Sequence, residues 1–122
     1  MADNARLICT SAELVDGGHG ARFEVEWRGR REPAFAVRFK GRVFAYLNRC
    51  GHVPAELDWN AGEFFDQARL YLICATHGAL YDPQTGACLS GRCDGRGLEA
   101  LLVTEYGGNV YLSDKANLQV VP

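Results

Sequence analysis

The chain has 122 residues, a formal net charge of −2, 48% hydrophobic and 23% charged residues. That suits one domain, residues 1–122, with a buried core of its own, and the lack of a basic excess excludes the electrostatic footprint of a nucleic-acid or anionic-membrane binder. No apolar run approaches the roughly 20 residues of a spanning helix, and the opening MADNARLICTSAELVDGG, with Asp3 early and no long apolar centre, does not read as a secretory signal. A cytoplasmic protein with no membrane or nucleic-acid partner is expected.

Short apolar runs and turn signals alternate along the whole chain. Residues 6–9 are a first short strand, followed by a Gly17-Gly18-His19-Gly20 loop. In residues 22–28, Phe23, Val25 and Trp27 alternate with charges, the period of a half-buried strand. Residues 29–33 read as a turn. Residues 34–39 and 43–47 flank Lys40-Gly41-Arg42 and predict a hairpin. Residues 53–67 are irregular, and residues 69–73 predict a strand running into Cys74. Asp82-Pro83-Gln84-Thr85-Gly86 is a turn by composition. Residues 87–89 resume extended structure, residues 91–97 are a loop, and residues 98–104 and 109–112 predict a closing hairpin around Tyr106-Gly107-Gly108. No window shows a sustained 3.6-residue apolar period, so an all-β antiparallel sandwich or barrel is expected.

Five cysteines is an odd number, and two of them stand beside histidines: Cys50-Gly51-His52 and Cys74-Ala75-Thr76-His77. Without an export signal this favours metal ligation over a disulfide framework. Two thiols and two imidazoles suit a tetrahedral zinc site, or a [2Fe-2S] cluster with two Cys on one iron and two His on the other. Zinc fingers usually group Cys with Cys and His with His on a helix. Here each loop offers one of each, which is what a cluster reached by both loops requires.

With these motifs, followed by Gly78, Tyr81-Asp82 and Thr85-Gly86, the chain resembles Rieske-type ferredoxins, the small electron carriers of ring-hydroxylating oxygenases. The resemblance covers residues 7–112. It implies a Rieske-like β-sandwich with a small cluster-binding subdomain at about residues 48–93, formed by two loops, and one [2Fe-2S] cluster per chain. Cys50 and Cys74 would bind the inner iron, and His52 and His77 the outer one, with Tyr81 donating to a cysteine sulfur. It implies a one-electron carrier rather than an enzyme, between a reductase and a terminal oxygenase. The alternatives are a Rieske-fold small subunit such as that of assimilatory nitrite reductases, and a zinc-stabilised binding module.

The chain also departs from the pattern. Rieske proteins of respiratory and photosynthetic cytochrome complexes carry an inter-loop disulfide whose positions fall at Ala55 and Thr76, and a serine donor whose position falls at Ala79. Fewer hydrogen bonds to sulfur lower the potential, so a value of roughly −150 mV to 0 is expected. Gly91-Arg92-Cys93 replaces the usual Gly-Pro. A docking tip is expected at Val53, Pro54, Ala79 and Leu80. Cys9 and Cys88 read as core thiols, Cys93 as an incidental one, His19 as a solvated loop residue and Trp59 as packing. Glu56 and Asp58 have no catalytic partner in the sequence.

Overall fold

The central strand pair is buried on both faces, and this decides where everything else sits. The structure is a computed structural model that describes residues 6–49, 56–58, 60–75, 78–91, 97–113 and 119–120. In chain order the strands are β1 (Arg6–Thr10), β2 (Ala21–Trp27), β3 (Arg30–Phe39), β4 (Arg42–Leu47), β5 (Leu72–Ile73), β6 (Leu80–Tyr81), β7 (Cys88–Ser90), β8 (Ala100–Leu101), β9 (Val103–Tyr106), β10 (Asn109–Leu112) and β11 (Gln119–Val120). They form three sheets ordered β1-β10-β9, β11-β2-β3-β4-β8 and β5-β6-β7. All pairings between these strands are antiparallel. The expected all-β antiparallel fold is therefore found.

Successive side chains of a strand point to opposite faces, and the sequence Ala34-Phe35-Ala36-Val37 exploits this. Ala34 and Ala36 join Ala45, Leu47, Val25, Cys9, Val110 and Leu112 in a base core beneath the β1-β10-β9 sheet. Phe35 and Val37 join Tyr46, Leu57, Phe64, Leu72, Cys74 and Tyr81 in a second core under the β5-β6-β7 sheet. Small residues let the base layer approach closely, while large ones fill the space beneath the loops. Phe35 stacks on Phe64 at 4.0 Å between ring centroids. Tyr46 is buried with its hydroxyl donating to the Pro83 carbonyl at 2.8 Å, which fixes the 82–86 turn.

The hairpin turns are Arg28-Gly29, Lys40-Gly41 and Gly107-Gly108, each with both residues at positive φ, the two-residue form whose twist matches the strands. The Asp16 carboxylate accepts the Lys40 and Gly41 N–H groups, both at 2.8 Å.

Three boundaries differ from the sequence reading. Residues 30–33 are strand rather than turn. Pro33 lies in β3 opposite Glu24, beyond the end of the β3–β4 ladder, which begins at Ala34. A proline is tolerated there because no neighbour needs its missing N–H. Residues 98–104 are not one strand: β8 pairs with β4 and β9 pairs with β10, the chain changing sheets at exposed Leu102. Residues 69–71 are not extended either, because Arg69 sits at φ 59 and the Asp66 carboxylate accepts the Leu70 and Tyr71 N–H groups.

Arg38 ties the base together. Its guanidinium donates to the Leu14 carbonyl at 2.8 Å and makes a two-pronged pair with Glu105 of β9. The pair holds the Glu105 carboxyl down at about 2, from an ordinary 4.5. A carboxyl depressed by folding stabilises the protein above its unfolded pKa, and that contribution fades as pH falls through the folded one. The stability difference between wild type and Glu105→Gln should therefore be constant above about pH 5 and shrink as pH falls from 4.5 towards 2. Urea unfolding across that range checks this, and a difference that stays unchanged at the acid end would refute it.

Candidate metal centre

The loop that carries the second expected pair, Cys74 and His77, is framed by β5 and β6. Leu72 and Ile73 pair with Tyr81 and Leu80, which leaves Cys74 and Ala79 as the neck of the loop. The neck is closed by backbone: the Cys74 N–H donates to the Ala79 carbonyl at 2.9 Å, and the Gly78 N–H to the Cys74 carbonyl at 2.7 Å. Gly78 takes φ 70 there, the left-handed conformation that a β-carbon disfavours. The loop is thus pinned at its base, and the Cys74 side chain is fully buried.

Tyr81 is also fully buried, in the same apolar cluster as Cys74. Ala79 is fully buried as well. It lies against Gly91, where a β-carbon would come within 2.7 Å of the Ala79 Cα. It therefore forms no part of an exposed docking tip, contrary to the sequence reading; close packing of two backbones covers it. Leu80 is only partly buried.

The loop that carries the first expected pair leaves β4 at Asn48. Asn48 is fully buried and its N–H donates to the Pro33 carbonyl at 2.8 Å. Its side chain reaches across the loop: Oδ1 accepts the Leu57 N–H at 2.8 Å, and Nδ2 donates to Asp58 Oδ1 at 2.9 Å. Asp58 Oδ2 accepts the Gly62 N–H at 3.0 Å and pairs with Arg22 Nε at 3.2 Å. Arg22 also pairs with Glu56 at 3.0 Å. The two loops are joined where the Ala75 N–H donates to the Leu57 carbonyl at 3.0 Å.

Of the expected ligands, Cys74 is placed at the neck of its loop, beside Tyr81 in one core. Cys50, His52 and His77 lie outside the described residues, as do Val53, Pro54, Trp59, Arg92 and Cys93. The sequence reading missed the roles of Asn48, Arg22 and Asp58. The available signal was an Asn two residues before the first Cys, at the end of an apolar strand where a polar side chain needs a buried partner. Glu56 and Asp58 are structural anchors.

The remaining thiols divide. Cys9 is a core residue as expected, and burial pushes its thiol up to about 11, so it stays protonated and inert. Cys88 is not a core thiol: it is half-buried and disulfide-bonded. It stands on β7, the three-residue edge strand of its sheet, packed against the margin of the loop-side core. His19 is exposed, as expected, at a surface cleft of about 320 Å³ that it shares with Glu63, Asp66 and Arg69.

The profile of the Rieske [2Fe-2S] domain matches residues 4–107. The chain belongs to the Rieske [2Fe-2S] domain family. Solved structures agree on the fold. The ferredoxin of carbazole 1,9a-dioxygenase from Nocardioides aromaticivorans IC177 is 24% identical with a TM-score of 0.71, over 91% of this chain and 98% of that one. The Sphingomonas yanoikuyae B1 ferredoxin is 24% identical with a TM-score of 0.70, over 90% of this chain and 98% of that one. A chain of the complex of reduced oxygenase and oxidised ferredoxin in carbazole 1,9a-dioxygenase is 21% identical with a TM-score of 0.69, over 92% and 94%. No curated protein matches the sequence. Among the described residues, no helix is long and apolar enough to cross a membrane.

The described part of this Rieske domain fits a cluster ligand. Cys74 offers a thiol shielded from water at the neck of a pinned loop, the setting that a sulfur ligand on an inner iron needs. Gly91 is part of that setting. Gly91 has φ 98, so Gly91→Ala combines left-handed strain with a backbone collision at Ala79. It should cost about 1–3 kcal/mol in urea unfolding, and stability equal to wild type would show that the Ala79–Gly91 approach is not as close as described.

Proposed function

We propose that this Rieske domain is a one-electron carrier that passes electrons from a reductase to a terminal oxygenase and catalyses no reaction of its own. Cys50 and Cys74 hold the inner iron of one [2Fe-2S] cluster per chain, and His52 and His77 hold the outer iron. The observation that carries this is the mixed pair on each loop, Cys50-x-His52 and Cys74-x-x-His77, with Cys74 buried at its neck. When bound, such a cluster takes up and releases a single electron.

The residues of the chain divide the remaining work. The buried thiol of Cys74 and its pinned loop exclude water from the inner side. Tyr81, buried in the same cluster as Cys74, would donate its hydroxyl to a cysteine sulfur. Ala79 has no donor to offer, which supports a potential in the low part of the Rieske range. The partner assignment is supported by the structure of carbazole 1,9a-dioxygenase in which a ferredoxin is complexed with its oxygenase. Leu80 is the described residue of the expected docking tip that retains exposure.

The deciding measurement is the electron paramagnetic resonance spectrum of dithionite-reduced protein, with iron and acid-labile sulfide assays. A Rieske spectrum and two irons per chain are expected, and Cys74→Ser should lose both. A colourless protein binding zinc alone would refute the proposal. Leu80→Asp should slow electron transfer to the oxygenase about tenfold, the equivalent of ~1.4 kcal/mol, with the spectrum unchanged. An altered spectrum with undiminished transfer would move Leu80 from the docking surface to the cluster environment.

A further inference from the structure

We propose that Asn48, Asp58 and Arg22 form a positioning clasp that sets the spacing between the two ligand loops. The proposal rests on the reading of those loops as the cluster's holders. The second loop closes its own neck through backbone, from Cys74 to Ala79. The first loop closes through a side chain: Asn48, on one side of it, bonds both Leu57 and Asp58 on the other. The Leu57 peptide then carries the constraint onward. Its N–H is held by Asn48, while its carbonyl receives the N–H of Ala75, the residue directly after Cys74. A shift at Asn48 is therefore felt one residue from a proposed ligand on the opposite loop.

The chemistry of the clasp favours geometry over net stability. The Asp58 side chain is fully buried, and so is Asn48. Removing an amide and a carboxylate from water costs free energy that an apolar pair would not incur. What such a network supplies is direction, since every polar atom must find its partner in one arrangement. Asp58 meets this with three donors, from Asn48, Gly62 and Arg22. Arg22 belongs to β2 and also grips Glu56, so the clasp anchors the loop stem to the large sheet. A site of this kind needs its supporting residues to hold the ligands within roughly 0.5 Å.

The test uses the full chain reconstituted with iron and sulfide. Three variants are compared: Asn48→Ala; Arg22→Gln, which alters an exposed side chain and spares the core; and Val110→Ala, which destabilises the base core. Two quantities are read in each: the rate at which a chelator bleaches the protein, and the hydrogen exchange rate of the Ala75 amide. Both should rise on the order of tenfold in Asn48→Ala and measurably in Arg22→Gln, while Val110→Ala leaves both near wild type. Should Asn48→Ala not fold, Arg22→Gln decides. If Arg22→Gln and Val110→Ala move the Ala75 amide equally, the clasp is ordinary packing and the proposal is overturned. Wild-type protein that takes up no iron would instead reject the carrier reading, with the Ala75 exchange still deciding the clasp.

Discussion

The whole structure depends on burying both faces of β3 and β4. One strand pair separates two cores: alanines face the base, and Phe35, Val37 and Tyr46 face the loops. Without that second face the β5-β6-β7 sheet would have nothing to stand on. Its strands are two or three residues long, and a sheet that small is not stable alone in water. Its order comes from the aromatic floor, chiefly Phe35 stacked on Phe64.

This division lets the two halves use different forces. The base is held by apolar packing and by Arg38, which spans two sheets to reach Glu105. The loop half adds directional contacts to its apolar floor: a backbone-closed neck at Cys74, a side-chain-closed neck at Asn48, and one hydrogen bond from Ala75 to Leu57 between them. Apolar contact is non-directional, whereas a hydrogen bond weakens steeply off its axis. Polar groups thus stand where geometry decides the chemistry.

Much of this was legible in the sequence. The alternation of Phe23, Val25 and Trp27 announced β2, and Lys40-Gly41 announced the β3–β4 hairpin. Cys74 at a strand end was readable as a candidate ligand because its partner motif stood upstream. What could not be read was tertiary. The residues around Leu102 look like one continuous strand because period-two apolar patterning is the same whichever sheet pairs with it. Pro33 looks like a turn because the missing β4 neighbour is not visible in the chain. Asp58 looks like a solvated carboxylate until Arg22, 36 positions earlier, is brought beside it. Cys88 looks like a core residue until the shortness of its edge strand is known.

Tyr46 joins the two kinds of force in a single side chain. Its ring belongs to the loop-side core, and its hydroxyl meets the carbonyl of buried Pro83; burial also pushes its phenol well above the usual range. A hydropathy ranking would prefer phenylalanine at this position. The loss of one oxygen would nonetheless strand a carbonyl away from water, at a penalty of about 1–3 kcal/mol. Greater oiliness would therefore make the protein weaker here, and substitution matrices that treat the two aromatics as equivalent would misjudge it.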